Sequence, residues 1–473
     1  MGLEEVRVGA VAPARLESII GQERAARFEA AAVAARNFLR DRVVFSVNST
    51  ATGGGVAELL QTLLANVGGV GIEARWLVLE GTPEFFAITK RIHNHLYGAP
   101  GDGGGLGPAE HEQYEATLAD VARELKDLVT PDDIVLLHDP QTAGLAPHLA
   151  GVGVAVVWRC HVGLDTQNDH SRRGWEFLRR YIEDVPAFVF SCEQFAPPWV
   201  PHDRVFVIPP SIDPFSAKNE PMSEPDVELT LRIAGLLQGG TGGSPAPFSR
   251  RDGSYGHVSR PVDLLGTGPP PPTDAPLVLQ ASRWDALKDM PGVMTAFARD
   301  LADMGAAHLM LAGPSVDGIA DDPEATAVLG ECLASWHALP EPTRARIHLA
   351  CIPMGDSDEA ASILNALQRH ATVVTQKSLA EGFGLTVTEA MWKARPVIGS
   401  AVGGIVDQII PGETGYLLPD PHDLERFAEN LSALLANPAE AGRMGRNGRA
   451  HASEHFLGDR HLEQWAHVLT QLL

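Results

Sequence analysis

The chain has 473 residues, 44 % of them apolar, and a formal net charge of −23 from 37 basic and 60 acidic side chains. That length holds two or three domains of ordinary size. So acidic a surface argues against a nucleic-acid binder and against adhesion to anionic membranes, but leaves room for a small basic pocket around one phosphorylated ligand.

Four scattered cysteines, Cys160, Cys192, Cys332 and Cys351, form no C-x-x-C pair. They read as reduced, mostly buried thiols of a cytoplasmic protein. The opening residues "MGLEEVRVGAVAPARLES" lack the apolar core of a signal peptide. Runs such as "GVGVAVVW" are far shorter than the ~20 residues that span a bilayer.

In chain order, a helical lead, "ERAARFEAAAVAARNFL", precedes six β-rich runs: "RVVFSVN", "EARWLVLE", "DIVLLHD", "VAVVWRC", "AFVFSC" and "RVFVIP". Helical patterns separate them, as in "GVAELLQTLLANV". Apolar runs alternating with helices predict a parallel α/β sheet covered on both faces. Residues 1–215 therefore read as one Rossmann-like domain.

Residues 216–275 break the pattern. "LLQGGTGGSPAPFSRRDGSYGHVSRPVDLLGTGPPPPTD" is rich in Gly, Pro and Ser without a sustained period. It reads as a linker with a solvated insertion whose removal should leave activity largely intact. Alternation restarts over 276–450 with "PLVLQAS", "HLMLAG", "RIHLAC", "TVVTQ", "RPVIG" and "GYLLP". Residues 451–473 read as a terminal helix packing back across the domains. The expected fold is α/β, two Rossmann-like domains facing each other across a cleft, with chemistry in the loops that follow the strands.

Among those loops, "LAEGFGLTVTEAMW" places Glu381 before a glycine turn, Gly382-Phe383-Gly384, and Glu389 one turn into the helix after it. Glycines and a helix N-terminus suit an anion, whereas carboxylates repel phosphate and suit sugar hydroxyls. The combination fits a nucleotide sugar. The helix dipole alone would also favour a glutamate in a first turn. In "VLQASRWDALKDMPGV", Arg283 and Lys288 follow a strand and could grip a diphosphate, or could simply balance Asp285 and Asp289.

In the first half, "VNSTATGGGVAELL" offers a tight loop of Gly53, Gly54 and Gly55, without the full dinucleotide fingerprint. "LLHDPQTAG" brings His138, Asp139 and Gln141, and "WRCHVGLD" brings Arg159, His161 and Asp165. Three polar post-strand loops on one sheet edge suggest a site for a hydroxyl-rich acceptor. No compact His/Cys/carboxylate spacing suggests a metal.

The segments "EGFGLTVTEAMW" and "SRW…K" resemble retaining GT-B glycosyltransferases of the glycogen-synthase-like group. "NSTATGGGVAELL", "GIEARWLVLEGTPEFFAITKRIHNHLYG", "WRCHVGLD" and "PPSIDPFSAKN" are similar to the trehalose glycosyltransferring synthase family, as is "EAMWKARPVIGSAVGGIVDQIIPGETGYL". That resemblance implies synthesis of trehalose from UDP- or ADP-glucose and free glucose, with the nucleotide sugar as co-substrate and no tightly bound cofactor.

It implies that Arg283 and Lys288 hold the donor diphosphate, Glu381 the transferred glucose and Glu389 the ribose. Gly54, Gly55, Gly382, Phe383, Gly384, Leu385 and Ile352 would also bind the donor, and His161 would sit beside the glucose. His138, Asp139, Gln141, Arg159 and Asp165 remain for the acceptor. Magnesium stimulation and a homodimer are compatible with it. A retaining trehalose phosphorylase and a non-catalytic nucleotide-sugar-binding protein are the alternatives.

Overall fold

A computed structural model describes residues 2–12, 14–51, 55–266, 268–316 and 323–473. The first half builds strands β1 (Leu3–Val6), β2 (Val44–Asn48), β3 (Ala74–Leu79), β4 (Ile134–His138), β5 (Ala155–Cys160), β6 (Ala187–Phe190) and β7 (Val205–Val207). Next come β8 (Ala246–Ser249), β9 (Tyr255–Val258) and β10 (Asp263–Leu265). The second half adds β11 (Leu277–Ala281), β12 (His308–Pro314), β13 (Ile347–Ile352), β14 (Val373–Gln376), β15 (Val397–Ser400) and β16 (Gly415–Leu418). The twelve β-rich runs read from the sequence are all strands; β1, β8, β9 and β10 are additional.

Two seven-stranded sheets result, ordered β1-β3-β2-β4-β5-β6-β7 and β10-β13-β12-β11-β14-β15-β16. In each, the first-named strand is an antiparallel edge and the rest run parallel. Parallel strands joined through helices are buried on both faces, which is why the runs lack polar alternation. Val278 faces one apolar cluster, with Phe297 and Leu311, while its neighbours Leu277 and Leu279 face another, with Ile363 and Met391.

Chain order sets the functional edges. In the first sheet, β2 has β3 on one side and β4 on the other, so the order reverses between β2 and β4. In the second, β11 leads to β12 and β13 on one side, and β14 to β16 on the other. At such a reversal the loops leaving two adjacent strands diverge and open a crevice at the carboxyl edge.

By contacts the chain divides into two compact units. One runs to Ser211 and takes in Glu381–Phe383 and Phe456–Leu473; the other is Ile212–Ala380 with Gly384–His455. The final helix, Gly458–Leu472, packs on the helices Gln22–Phe38 and Gly55–Gly69 of the first unit. Trp465, Val468 and Leu469 fill a cluster with Val44 and Leu136 of the sheet, and Arg24 grips the buried Asp459 at 2.5 and 2.9 Å. No helix among the described residues is long and apolar enough to cross a membrane.

The Gly/Pro-rich segment differs from the expectation of a solvated linker. It carries a helix, Glu224–Ile233, the antiparallel pair β8–β9, and β10 hydrogen-bonded to β13. Phe248, Val258 and Val262 are buried. Arg250 clasps Asp356 at 3.0 and 2.7 Å, and the Ser259 and Arg260 amides donate to Glu359 Oε1 at 2.6 and 2.9 Å. Strands of three or four residues among turn glycines show little period, and β10 takes its place by pairing with β13, distant in sequence. Deleting 238–270 is therefore expected to destabilise the second unit. Each of the three buried side chains contributes about 1.5–3 kcal/mol, so the melting temperature should fall on the order of 10 °C or more. Thermal unfolding by circular dichroism checks this.

Candidate active site

The second sheet places two loops at its reversal. After β11, Asp285 caps the short 3-10 turn Ala286–Lys288, accepting from the Leu287 amide at 2.8 Å. Asp289, at φ 44°, then caps the helix Met290–Arg299 through the Gly292 amide at 3.1 Å. After β14 come Lys377 and the glycine turn. The loops are stitched together: the Leu379 amide donates to Leu287 O at 2.7 Å, Gln280 Oε1 accepts from the Lys377 amide at 3.1 Å, and the fully buried Lys377 ammonium pairs with Asp289. Lys288 is half-buried here and Arg283 is exposed, its guanidinium 3.1 Å from Asp285. An exposed pair of that kind is weak and leaves Arg283 able to turn to a ligand.

Gly384 stands at φ 83° as the N-cap of the helix Leu385–Trp392 and offers no capping side chain. A left-handed cap without a side chain leaves the first helical amides open to an anion. Leu385 is half-buried beside it. Ile352 lies buried at the end of β13, its carbonyl accepting from the Ser315 amide at 2.8 Å.

Glu389 is only 2 % exposed. Its carboxylate meets Lys218 Nζ at 3.0 Å and Gln368 Nε2 at 3.4 Å. Lys218 and Lys377 pair with carboxylates of this candidate site, and the sequence reading singled out neither. The signal for Lys377 was its place directly after a strand. For Lys218 it was the "PPSIDPFSAKN" segment, to which no role had been attached.

In the first unit the loops after β4 and β5 converge on one pair. Asp139, at φ 62°, accepts from the His161 amide at 2.8 Å with one oxygen and lies 3.0 Å from His161 Nδ1 with the other. Such a backbone is unfavourable for an ordinary side chain and persists where surrounding contacts hold it. The neighbouring imidazole and the hydrogen bonds hold the Asp139 carboxyl at about 2, against the pull of burial. Burial lowers His161 below the usual histidine value. The pair is therefore a carboxylate and a neutral imidazole near pH 7, with the proton on Nδ1. His161 Nε2 is then a bare acceptor, buried and without a hydrogen-bond partner.

His138 stacks on the His161 ring at 5.4 Å, and burial drives it well below the usual value. Gln141 is half-buried in the short helix Asp139–Thr142, and Asp165 is exposed on the loop after β5. Gly55 opens the helix Gly55–Gly69, whereas Gly53 and Gly54 lie outside the described residues.

Glu381–Phe383 group with this first unit. A Cβ on Gly382 would come 2.7 Å from His161 O and 2.9 Å from the Tyr97 hydroxyl, so only glycine fits that close approach. Glu381 is half-buried beside it.

Arg159 departs from its expected place among acceptor ligands. It is 1 % exposed, and its guanidinium donates to Phe190 O, Ser191 Oγ and Ile208 O at 2.8, 3.2 and 2.7 Å. Its side chain ties β5 to β6 and to the segment after β7 beneath the loops. Burial brings it down to about 10. Among the described residues no group of three or more His, Cys, Asp or Glu side chains is gathered around a metal position.

The chain matches known proteins along most of its length. Residues 46–197 match the family model for the trehalose synthase N-terminal domain, and 353–451 match glycosyl transferases group 1. Trehalose synthase of Rubrobacter xylanophilus is 33 % identical over all of this chain and 99 % of its own length. That of Pyrococcus horikoshii is 32 % identical over 96 % of this chain and 95 % of its own. A solved structure from E. coli, described as trehalose-6-phosphate bound with UDP-2-fluoro glucose, aligns with a TM-score of 0.64 at 13 % identity. It covers 91 % of this chain and 99 % of that one. Two mostly parallel sheets and these matches define a glycosyltransferase of the GT-B fold. Within that class, the chain belongs to the trehalose synthase family.

Proposed function

We propose that the protein is a retaining glucosyltransferase that joins the glucose of UDP- or ADP-glucose to free glucose, forming α,α-trehalose. The observation that carries this reading is the pair of stitched loops at the reversal of the second sheet, with Arg283, Lys288 and the uncapped helix at Gly384 on one edge. Cations and helix amides suit a leaving diphosphate, and the UDP sugar in the E. coli neighbour supports a donor of that class.

The glycosidic C1–O bond to phosphate breaks while a bond forms on the same face of C1 to the acceptor's anomeric oxygen. The acceptor hydroxyl proton passes to the departing phosphate oxygen. Glu381 holds hydroxyls of the transferred glucose, and His161 Nε2 accepts from a sugar hydroxyl.

Free glucose, rather than glucose-6-phosphate, is favoured as acceptor by the state of the nearby cations. Arg91 is held by Asp102 and Gly105 O and Arg159 by backbone carbonyls, whereas Arg172 has only an exposed pair with Asp169. A hydrogen-bonding pocket lined by carboxylates rejects a phosphate dianion.

The test is product analysis with UDP-glucose or ADP-glucose and equal glucose and glucose-6-phosphate. Trehalose as the main product is expected. Trehalose-6-phosphate would overturn the acceptor, and glucose-1-phosphate formed from trehalose and inorganic phosphate without nucleotide would move the protein to the phosphorylase reaction.

A further inference from the structure

The segment "PPSIDPFSAKN" has no role in the reaction described so far, yet its last residues reach the buried side of the Leu385–Trp392 helix. The turn is rigid. Asp213 Oδ1 accepts from the Phe215 amide at 2.9 Å, and Asp213 O accepts from Ser216 Oγ and Asn219 Nδ2, each at 3.0 Å. Asn219 then grips the end of the helix: its carbonyl accepts from Trp392 Nε1 at 3.1 Å and its Oδ1 from Lys393 Nζ at 2.9 Å. Lys393 also donates to Gln368 Oε1 at 2.7 Å and to Glu389 O at 3.2 Å. The neighbouring Lys218 is delivered to Glu389 Oε1 at 3.0 Å.

The charges matter. Glu389 is a buried carboxylate, and a buried charge is tolerated only with a partner. Lys393 donates to amide and carbonyl oxygens, while Lys218 Nζ lies 3.0 Å from the Glu389 carboxylate itself. With one lone pair of Oε1 on Lys218 and a long bond from Gln368 to Oε2, the carboxylate keeps acceptor capacity on both oxygens. An ionised carboxylate can only accept, which suits two neighbouring hydroxyl donors and discriminates against a ligand that lacks one.

We propose that Lys218 is a positioning residue that holds the Glu389 carboxylate aimed at the nucleotide's ribose diol, and so sets the preference for ribonucleotides over 2′-deoxyribonucleotides. This rests on Glu389 holding the ribose, as the family resemblance implies.

The test is calorimetric affinity for UDP and ADP and for their 2′-deoxy forms, in the parent protein and in Lys218→Met, Lys218→Arg and Glu389→Gln. Lys218→Met keeps the length of the side chain without the charge. It is expected to weaken ribonucleotide binding about tenfold or more, the scale of a lost charged hydrogen bond, and to bring the ribo-to-deoxy ratio towards one. Lys218→Arg should restore most of both. Steady-state kinetics of Lys218→Met should show the donor KM rising more than kcat falls.

Unchanged ribo-to-deoxy discrimination in Lys218→Met, while Glu389→Gln loses it, overturns the role of Lys218 alone. Lys218→Arg behaving like Lys218→Met overturns it as well, since charge would then not be what matters. Parent-like affinity and discrimination in Glu389→Gln overturn the ribose assignment of Glu389 itself. Melting temperatures of the variants separate a binding defect from unfolding.

Discussion

Lys288→Ala and Arg283→Ala are each expected to lower kcat about a hundredfold or more, the scale for removing one donor that meets charge developing in a transition state. Both side chains leave the loop after β11, at the reversal of its sheet, beside the loop that carries the glycine turn. As C1–O cleavage proceeds, negative charge grows on the diphosphate, and a fixed cation lowers that state more than the ground state. Arg283 brings a planar fork and Lys288 a compact point charge, so neither should replace the other. Lys377 cannot stand in, because its ammonium is fully buried against Asp289. Turnover at saturating donor, with circular dichroism to confirm folding, is the measurement. Full activity in either variant would remove that cation from the donor site.

Asp139→Asn should be nearly as damaging, about ten- to a hundredfold in kcat/KM, with the fold retained. Asparagine tolerates φ 62° about as well as aspartate. What changes is the proton. The carboxylate offers two acceptors, one to the His161 amide and one towards Nδ1. An amide in its place can keep only one acceptor there. With that oxygen on the His161 amide, its NH2 faces Nδ1 and drives the imidazole proton to Nε2, turning a bare acceptor into a donor.

The pH dependence has a definite sign. Asp139 is held at about 2 in the folded protein, against about 3.9 unfolded. Its contribution to stability is therefore full above about 3.9 and is lost as pH falls towards 2. His161 is depressed by burial, so it favours the folded state fully above its unfolded value and loses that contribution as pH falls through the lower folded one. The parent should keep its imidazole-dependent activity somewhat below the ordinary histidine range. Parent-like kinetics in Asp139→Asn would show that the tautomer is not what the pair controls.

Legibility in the sequence followed the physics of each element. Strands of the parallel sheets were visible because burial on both faces makes continuous apolar runs, as in "VLLH" and "LVLQA". β1 was not: Leu3–Val6 is an edge strand whose Glu4 and Glu5 are exposed, so it carries no run of its own. The post-strand rule found both loop clusters but could not apportion side chains within them. Arg159 and His161 are two residues apart, yet one threads beneath the sheet edge and the other lines it. Period-two alternation would put both on one face; the split comes where β5 ends at Cys160, and what each side chain then meets depends on neighbours far away in sequence. Lys218 and Glu389 lie 171 positions apart, a pairing no local pattern announces.

The placement of the last helix bears on how the protein is made. On the ribosome the residues of the first sheet emerge early, but Trp465, Val468 and Leu469, which cover Val44 and Leu136, follow the whole of the second unit. Until then that face of the nascent sheet keeps apolar surface open to water, to chaperones or to misassociation. The second unit, complete by His455, lacks this dependence. The half synthesised first therefore finishes folding last. A translation product stalled before Phe456–Leu473 would leave that apolar face of the first sheet uncovered.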